Sequence, residues 1–421
     1  MNSTERVKTS LKRRYASEKR FQWYGRCAVL GGFVFLALLL TDIVTRALPA
    51  FSTTEIRLDI PIDRESLGLT RDSAVTREML SAVNHDGLIK KALRAAFPEV
   101  RKRKAKKQLY KLVSSGAEFE LASHLHSNPG LIGDRPLSIW VKADDDIDTY
   151  YKLDKRTSRV SDAQIGYIER LEAKGRIRTA FNTTFFSASD SREPEQAGIR
   201  GALVGSFWTL MVTLLVTLPV GIAAALYLEK FAPQNRFTDF IEININNLAA
   251  VPSIVFGLLG LAVFINFFGM PRSAPVVGGL VLSLMTLPTI IISSRAAIKS
   301  VPPSISEAAL GLGASHSQAV FHHVLPLAMP GILTGSIIGM AQALGETAPL
   351  LMIGMVAFIV EVPAGVFDSA TVLPVQIYLW SDSPERAFTA LTAATILILL
   401  GFLVVMNALA IYLRKRFERR W

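Results

Sequence analysis

The segment from Ala202 to Leu228 reads ALVGSFWTLMVTLLVTLPVGIAAALYL and contains 27 residues without a charge. A helix needs about 20 mostly apolar residues to cross the roughly 30 Å of hydrocarbon in a bilayer. Residues 27–50 and 201–413 together carry only 17 of the 81 charged side chains in the 421-residue chain. So much uncharged chain excludes a soluble fold and predicts a membrane protein.

Six segments have the length and composition of a spanning helix. They are Ala28–Pro49, Ala202–Leu228, a part of Ile243–Pro271, Ser273–Ser294, the segment from Pro326 through Gly345, and Ala390–Leu413. The fold class we predict is therefore an all-α polytopic membrane protein with six transmembrane helices and one α+β insert.

These segments divide the chain into five parts. We expect a basic tail at 1–26, a first transmembrane helix at 27–50, an insert domain at 51–200, a transmembrane core at 201–413 and a second basic tail at 414–421.

The net charge of +11 is concentrated in the two tails, which carry +6 and +4. Positively charged segments next to spanning helices stay on the cytoplasmic side. Both tails and the loop at 295–328 are therefore expected in the cytoplasm, with the insert outside. The same distribution explains the pI of 9.7 without a nucleic-acid partner. Cys27 is the only cysteine, which excludes an intrachain disulfide.

The insert shows soluble-domain patterning. Helical periodicity predicts one helix over Leu88–Leu112 and another over Ile165–Leu171, and alternation predicts a strand at Leu137–Val141. The basic run Arg101–Lys107 is either a solvated helix face or a surface that binds anionic lipid headgroups or a partner.

The sequence contains no constellation that would make this chain an enzyme. It has no G-x-x-x-x-G-K-[ST] loop, no H-E-x-x-H and no G-x-S-x-G, so we expect no catalytic residue. Asp144, Asp145, Asp146 and Asp148 lack the glycine and the closing glutamate of a calcium loop, so we expect no metal site there. If this chain moves a substrate uphill, the energy must come from another chain.

The segment that starts at Glu307 reads EAALGLGAS and is followed by Leu325-Pro326. Alanine, leucine and glutamate favour a helix, which Gly311 and Gly313 interrupt. A second helical stretch, Gln318–Val324, is expected to end before Leu325. The pattern predicts a short helix–turn–helix that a motor subunit could hold.

This segment resembles the EAA loop of ATP-binding-cassette importer permeases. Six positions are in register, and His323 occupies the place of the family's isoleucine; the six are Glu307, Ala308, Ala309, Gly313, Leu325 and Pro326. Val251–Leu258 and Ala343–Leu351 are further similar to phosphate permeases of the PstA type. The resemblance covers 201–421, and the insert resembles the longer forms of that subunit, which carry an extra extracytoplasmic domain after the first span.

The resemblance implies a permease subunit of a phosphate importer in the bacterial inner membrane that works by alternating access. It implies a partner permease of the PstC type, two ATPase subunits of the PstB type and a periplasmic phosphate-binding protein of the PstS type. ATP and magnesium would bind to the ATPase chains, so no cofactor is expected in this chain. Membrane lipid would surround the spans. The six matched loop residues would couple the permease to the ATPase.

Two ionisable residues are candidates for the substrate pathway. Glu346, followed by Thr347, is expected well inside the fifth span, where a carboxylate either lines the path or forms a structural hydrogen bond. Arg295 ends the fourth span and either binds phosphate or anchors the helix at the cytoplasmic face. Family members often have R-T-T-E here, whereas this chain has Ile298 in the acidic place, so we expect no mechanism that relies on an Arg–Glu pair within this segment.

The sequence is also compatible with other functions and with other roles for these residues. Asn244, Asn246 and Asn247 line the pore or cap a helix. The substrate could be another oxyanion, such as molybdate or phosphonate. A membrane sensor with an extracytoplasmic ligand domain would need neither the EAA-type loop nor Glu346. An ion-coupled carrier would not need the loop either.

Overall fold

The structure is a computed structural model that describes residues 3–63, 80, 83–128, 130, 132, 136–152, 159–356 and 358–417. The last four residues of the predicted basic tail at 414–421, and the first two of the tail at 1–26, lie outside the described residues.

The first helix, α1, spans Ser3–Ala47 and therefore includes most of the basic tail as well as the first predicted span. The insert follows, with short helices alternating with strands. Its elements are β1 (Ser52–Ile60), α2 (His85–Ala96), α3 (Arg103–Tyr110), α4 (Ala117–Ser127), β2 (Leu137–Lys142), α5 (Asp145–Lys152), α6 (Asp162–Ala173), β3 (Ile177–Phe181) and α7 (Thr183–Ser187).

The described strands form one antiparallel sheet in the order β2-β1-β3, with Ile56 opposite both Val141 and Ile177. The helices cover this sheet and enclose a core of large aliphatic residues that belongs to the insert alone. The predicted strand at Leu137–Val141 and the predicted helix at Ile165–Leu171 are confirmed. The α+β insert expected from composition is thus present.

The predicted single helix over Leu88–Leu112 is wrong. Two helices, α2 and α3, are separated at Phe97-Pro98. Proline has no N–H to donate and disfavours helical geometry in the residue before it. Phe97 accordingly leaves the helix, with φ −134° and ψ 69°.

The remaining helices form the membrane core. They are α8 (Arg200–Leu226), α9 (Arg236–Ala249), α10 (Ser253–Gly260), α11 (Pro275–Lys299), α12 (Pro303–Gly311), α13 (His316–Ala319), α14 (Leu325–Gly345), α15 (Ala348–Met352), α16 (Leu373–Ser381) and α17 (Ala387–Phe417). Wider π-helical turns continue α8 through Phe231, α10 through Phe267 and α13 through Val324.

Five continuous helices among the described residues are long and apolar enough to cross a membrane. A sixth crossing requires α9 and α10 together, and these two meet at an angle of 100°. The third predicted span, within Ile243–Pro271, is therefore broken rather than continuous. Pro252 stands at the break, where its missing N–H and the restricted residue before it interrupt the helix.

The fifth span also differs from the prediction. The stretch Gln318–Val324 does not end before Leu325 but runs without a break from His316 to Gly345. Pro326 is tolerated because the wider π turn over Val320–Val324 changes the hydrogen-bond register immediately before it. The second arm of the predicted helix–turn–helix is thus the base of a spanning helix.

The bundle has two distinct ends. We call the end at which α1 reaches the insert and α8 and α17 begin the insert end, and the opposite end, which carries α12, the loop end. At the insert end, Ala47 and Ala50 pack with Phe185, Trp380 and Phe388 in one small apolar cluster. This cluster joins the insert to the last helix.

Candidate functional site

The loop end presents an exposed apolar surface. Helix α12 buries Ala309 but leaves Glu307 and Ala308 exposed. The chain then reverses at Gly313, whose φ of +90° lies in the region that only glycine adopts readily. Leu312 is 91% exposed and Phe321 52% exposed. Two large apolar side chains are thus exposed at this end of the bundle.

Arg295 lies near the loop end of α11 between two carboxylates. Its Nη2 donates to Oε1 of Glu242 at 2.6 Å and lies 3.6 Å from Oε2 of Glu229. Glu242 belongs to α9, and Glu229 belongs to the π turn that follows α8. Ile298 offers no acidic partner within this segment, and the carboxylates that pair with Arg295 come instead from distant parts of the chain.

The loop contacts the same π turn that carries Glu229. Nε2 of His316 donates to the backbone oxygen of Lys230 at 2.9 Å. The ring of His316 also meets the ring of Phe231 edge-on, with centroids 5.2 Å apart. His316 thus binds the residue next to Glu229, so the loop and Arg295 belong to one connected group.

Glu346 lies just beyond the end of a helix and not well inside the fifth span, where the sequence places it. Helix α14 ends at Gly345, and Glu346 has the extended geometry of φ −78° and ψ 127°. Glu346 and Thr347 are half-buried and form the link to α15. No ion pair within the described residues includes Glu346. The apolar composition up to Ala343 concealed this break, although Pro349 in the following turn indicated it.

Two interrupted spans pack against each other near this break. A Cβ atom on Gly257 of α10 would lie 2.7 Å from Cα of Pro349, so α10 and α15 touch backbone to backbone. Unwound backbone at membrane depth is tolerated where it is enclosed by protein or lines a polar cavity. The break at Glu346–Thr347 thus adjoins the contact between α10 and α15, and it is separate from the Arg295 cluster.

The three asparagines of α9 are exposed. Nδ2 of Asn244 donates to the backbone oxygen of Phe240 at 2.7 Å, which is a contact within the same helix. Asn244 therefore does not cap α9, whose N-cap is Asn235.

Two family models match the chain. Residues 217–419 match the family described as binding-protein-dependent transport system inner membrane component, and residues 8–159 match a domain of unknown function, DUF3333. The match to DUF3333 begins within α1 and ends before α6.

Individual relatives cover different shares of the chain. The probable ABC transporter permease protein YqgI of Bacillus subtilis is 38% identical over 168 residues, which are 40% of this chain and 56% of YqgI. The phosphate transport system permease protein PstA 2 of Mycobacterium bovis is 31% identical over 226 residues, which are 53% of this chain and 74% of that protein. The chain thus spans little more than half the length of YqgI.

Among solved structures, a chain of the MetNI methionine ABC transporter in an inward-facing conformation is similar at 18% identity. The likeness covers 52% of this chain and 96% of that chain, with a TM-score of 0.41.

Proposed function

Because this chain belongs to the PstA-type permeases, within the inner-membrane components of binding-protein-dependent transport systems, we propose that it forms part of the membrane path of an ATP-driven phosphate importer. Its partners would be a second permease of the PstC type, two ATPase subunits of the PstB type that bind ATP and magnesium, and an external phosphate-binding protein of the PstS type. The basic tails orient the loop end to the cytoplasm and the insert end to the outside.

The exposed surface of the loop end is the main support for ATP coupling. Leu312 and Phe321 offer apolar contacts to an ATPase, and Gly313 provides the turn that holds them apart from the bundle. The uninterrupted helix from His316 to Gly345 would carry a movement of the loop through the membrane as a rigid body. At about 1.5 Å per residue this helix is roughly 45 Å long, enough to reach the break at Glu346.

Arg295 would act as an exchangeable anion contact at the loop end. In this conformation its charge is taken up by Glu229 and Glu242, so an anion cannot compete for it. A displacement of the loop would pull on the π turn through His316 and Lys230 and separate Glu229 from the guanidinium. Glu242 would remain paired with the guanidinium, and phosphate would take the place of Glu229 through a charge-assisted hydrogen bond.

Glu346 and Thr347 would contact phosphate at a different depth. A carboxylate only accepts hydrogen bonds, so it favours an oxyanion that carries a P–O–H donor over fully deprotonated sulfate. This selectivity distinguishes phosphate from sulfate and molybdate as cargo of the same path.

The proposal is tested by uptake of labelled phosphate, sulfate and molybdate in cells that carry the complete transporter. Arg295→Ala should lower phosphate uptake about tenfold or more, since a charge-assisted hydrogen bond contributes about 1.5–3 kcal/mol. Arg272→Ala is the matched control, because Arg272 is exposed at the other end of the fourth span. Glu346→Gln should also lower phosphate uptake and reduce the preference over sulfate.

Three results would contradict this function. Equal uptake of the three anions by the unaltered transporter would exclude phosphate selectivity. Unchanged phosphate uptake in Arg295→Ala and Glu346→Gln, with the ATPase still bound, would leave both residues structural. Signalling without any uptake would instead favour a membrane sensor.

A further inference from the structure

An apolar groove lies between α8, α14 and α17 in the half of the bundle that is nearer the loop end. Leu214 and Leu218 of α8 line it together with side chains from residues 333–344 of α14 and 403–413 of α17. Its volume is about 180 Å³. Neither residue of the proposed substrate path, Arg295 or Glu346, belongs to this lining, so the groove is a separate feature of the bundle.

The lining of the groove is almost entirely apolar. Ser336 and Asn407 are its polar members, and Oγ of Ser336 donates to the backbone oxygen of Ile332 in its own helix. Ala341 of α14 and Ala410 of α17 also line the groove, and their small side chains leave its space unfilled. Water finds too few hydrogen-bond partners in such a place, so the groove suits a hydrocarbon.

The length of the groove matches one leaflet of a bilayer. From Leu403 to Leu413, α17 rises about 15 Å at 1.5 Å per residue. The hydrocarbon core of a bilayer is about 30 Å thick, so one leaflet accounts for about 15 Å. The groove ends at Leu413, directly before the basic residues that close α17. It therefore extends from the headgroup region at the loop end to about the middle of the membrane.

The groove opens sideways and is narrow. Leu409 is 56% exposed and Leu413 40% exposed, so this wall faces the surroundings of the bundle. A volume of about 180 Å³ spread over about 15 Å of helix gives a width of only a few ångströms, whereas a helix with its side chains is about 10–12 Å across. A single hydrocarbon chain fits these dimensions, and a further spanning helix does not.

A basic side chain stands at the loop end of the groove. Nη1 of Arg414 donates to Oγ1 of Thr334 at 3.3 Å and so reaches from α17 to α14, next to the lining residue Leu333. Arg414 is half-buried, whereas Lys415 and Arg416 are exposed. No ion pair with Arg414 is found in the part of the chain that the structure describes. Its charge therefore lies beside the groove and not only in the solvated tail.

We propose that this groove binds an anionic phospholipid from the leaflet at the loop end, with one acyl chain in the groove and the phosphate on Arg414. A guanidinium has five donors, so it can hold Thr334 and a phosphate oxygen together. Charge-assisted hydrogen bonds to phosphate are among the stronger ones. Basic pockets between spanning helices are known to select lipids with negatively charged headgroups.

The bound lipid would join two helices that meet only through packing. Its acyl chain would contact α14 and α17 along the groove, and its phosphate would lie where Arg414 crosses from one helix to the other. Anchoring at the membrane surface explains the exposed Lys415 and Arg416, but it does not explain why Arg414 lies against α14. The proposal does not depend on which substrate crosses the membrane.

The test is lipid binding by the purified full-length chain after detergent has removed its native lipid. Native mass spectrometry with added phosphatidylglycerol should show one lipid retained per chain. Phosphatidylcholine, which has no net charge, should bind at least about tenfold more weakly. Added phosphatidylglycerol should also raise the melting temperature. Failure to retain phosphatidylglycerol, or equal binding of the two lipids, would overturn the proposal.

The acyl-chain part of the site is tested by filling the groove. Ala410→Phe should weaken phosphatidylglycerol binding at least about tenfold. Val404→Phe is the matched control, since Val404 is on the same helix, is 62% exposed and does not line the groove; it should bind the lipid normally. Ala341→Leu blocks the groove from α14 with a smaller side chain and should weaken binding even if Ala410→Phe does not fold. Normal binding by Ala341→Leu, or by a folded Ala410→Phe, would contradict the proposed position of the chain.

The headgroup part of the site is tested by removing single charges. Arg414→Gln should reduce the preference for phosphatidylglycerol over phosphatidylcholine about fivefold, whereas Arg416→Gln removes the same charge from an exposed position and should reduce it much less. An equal loss in the two variants would mean that the tail attracts anionic lipid as a whole, without a site at Arg414.

The complete transporter provides the last comparison. There Ala410→Phe should lower the number of retained phosphatidylglycerol molecules by one while all subunits remain bound. If a span of another subunit occupied the groove instead, Ala410→Phe would weaken assembly and leave the lipid count unchanged. That result would overturn the proposal.

Discussion

The insert and the membrane bundle are held together in different ways. The insert packs large side chains such as Leu58, Leu121 and Ile147 around its sheet, all of them at most 1% exposed. The bundle brings α8 and α11 together at Gly279, where a Cβ atom would lie 2.5 Å from Cβ of Val212. Burial of apolar surface from water stabilises the first region, and close backbone approach stabilises the second.

The polar groups of the two regions also differ. In α8, Oγ1 of Thr209 and of Thr213 donates to the backbone four residues earlier in the same helix. In the insert, Lys142 and Arg176 pair with carboxylates from other elements. A hydroxyl in a spanning helix can thus donate to the backbone of its own helix, whereas these two charges in the insert join different elements.

The largest effect is expected from a substitution that disrupts the packing of the insert alone. Leu121→Ala removes a fully buried side chain and should lower the free energy of unfolding of the insert by about 2–5 kcal/mol. Limited proteolysis of the full chain should then cut the insert while the spans stay protected. Phe119→Ala, in the same helix but 68% exposed, is the control and should change little. Equal loss of the spans would show that the two regions unfold as one.

The next largest effect is expected from a substitution that prevents the close approach of α8 and α11 in the bundle. Gly279→Leu would place a Cβ 2.8 Å from the backbone oxygen of Thr209, so α8 and α11 must separate. Overpacking of this kind costs about 1–3 kcal/mol and should lower the melting temperature of the membrane core. Gly401→Leu serves for comparison, because nothing lies within 4 Å of the Cβ position there. A normal melting temperature in Gly279→Leu would refute the account of helix packing given above.

A smaller effect is expected at Gly313, where glycine is needed for its backbone conformation and not, as at Gly279, for close helix packing. At Gly313 the surroundings are open and only the φ of +90° excludes a side chain. Gly313→Val should therefore cost about 1–2 kcal/mol in local backbone strain and reduce both ATPase binding and phosphate uptake, without loss of the chain from the membrane. Gly311→Val, at a helical position, should affect both less. Normal ATPase binding in Gly313→Val would contradict the proposed role of the turn.

The smallest effect concerns the junction between the two regions. Nε1 of Trp380 donates to Oδ1 of Asp190 at 2.9 Å, and burial raises the pKa of this carboxyl above its usual value of 3.8. The folded junction thus favours the protonated form of Asp190. The free energy of unfolding therefore falls as the pH rises from the pKa of Asp190 in the unfolded chain through its raised pKa in the folded chain. Asp190→Asn keeps an acceptor for Trp380 and removes the cost of an ionised carboxylate in this buried place.

The melting temperature of Asp190→Asn should therefore exceed that of the unaltered chain by more at pH 7 than at pH 4. The difference in stability should stay within about 1 kcal/mol, as for other substitutions that keep a hydrogen bond. An advantage that shrinks as the pH rises would mean that the ionised carboxylate is favoured at this junction.

The sequence alone was sufficient for the features that depend on local composition. Uncharged length identified the spans, alternation identified β2, and the spacing from Glu307 to Pro326 identified the family of the loop. These signals are local because a helix enters lipid according to its own residues, and the residues of a strand alternate between its buried and its solvated face. The insert's separate core follows from the same contrast in composition.

Only the tertiary structure decided which charges meet and where the spans break. Arg295 contacts Glu242 and Glu229 at separations of 53 and 66 residues, and Ser114 donates a hydrogen bond to Glu195, which lies 81 residues later in the chain. Glu346 lies at a helix end because α14 stops at Gly345 and α15 packs on α10. The energy of a charge or of an unwound backbone depends on what surrounds it, and those surroundings come from packing between distant segments.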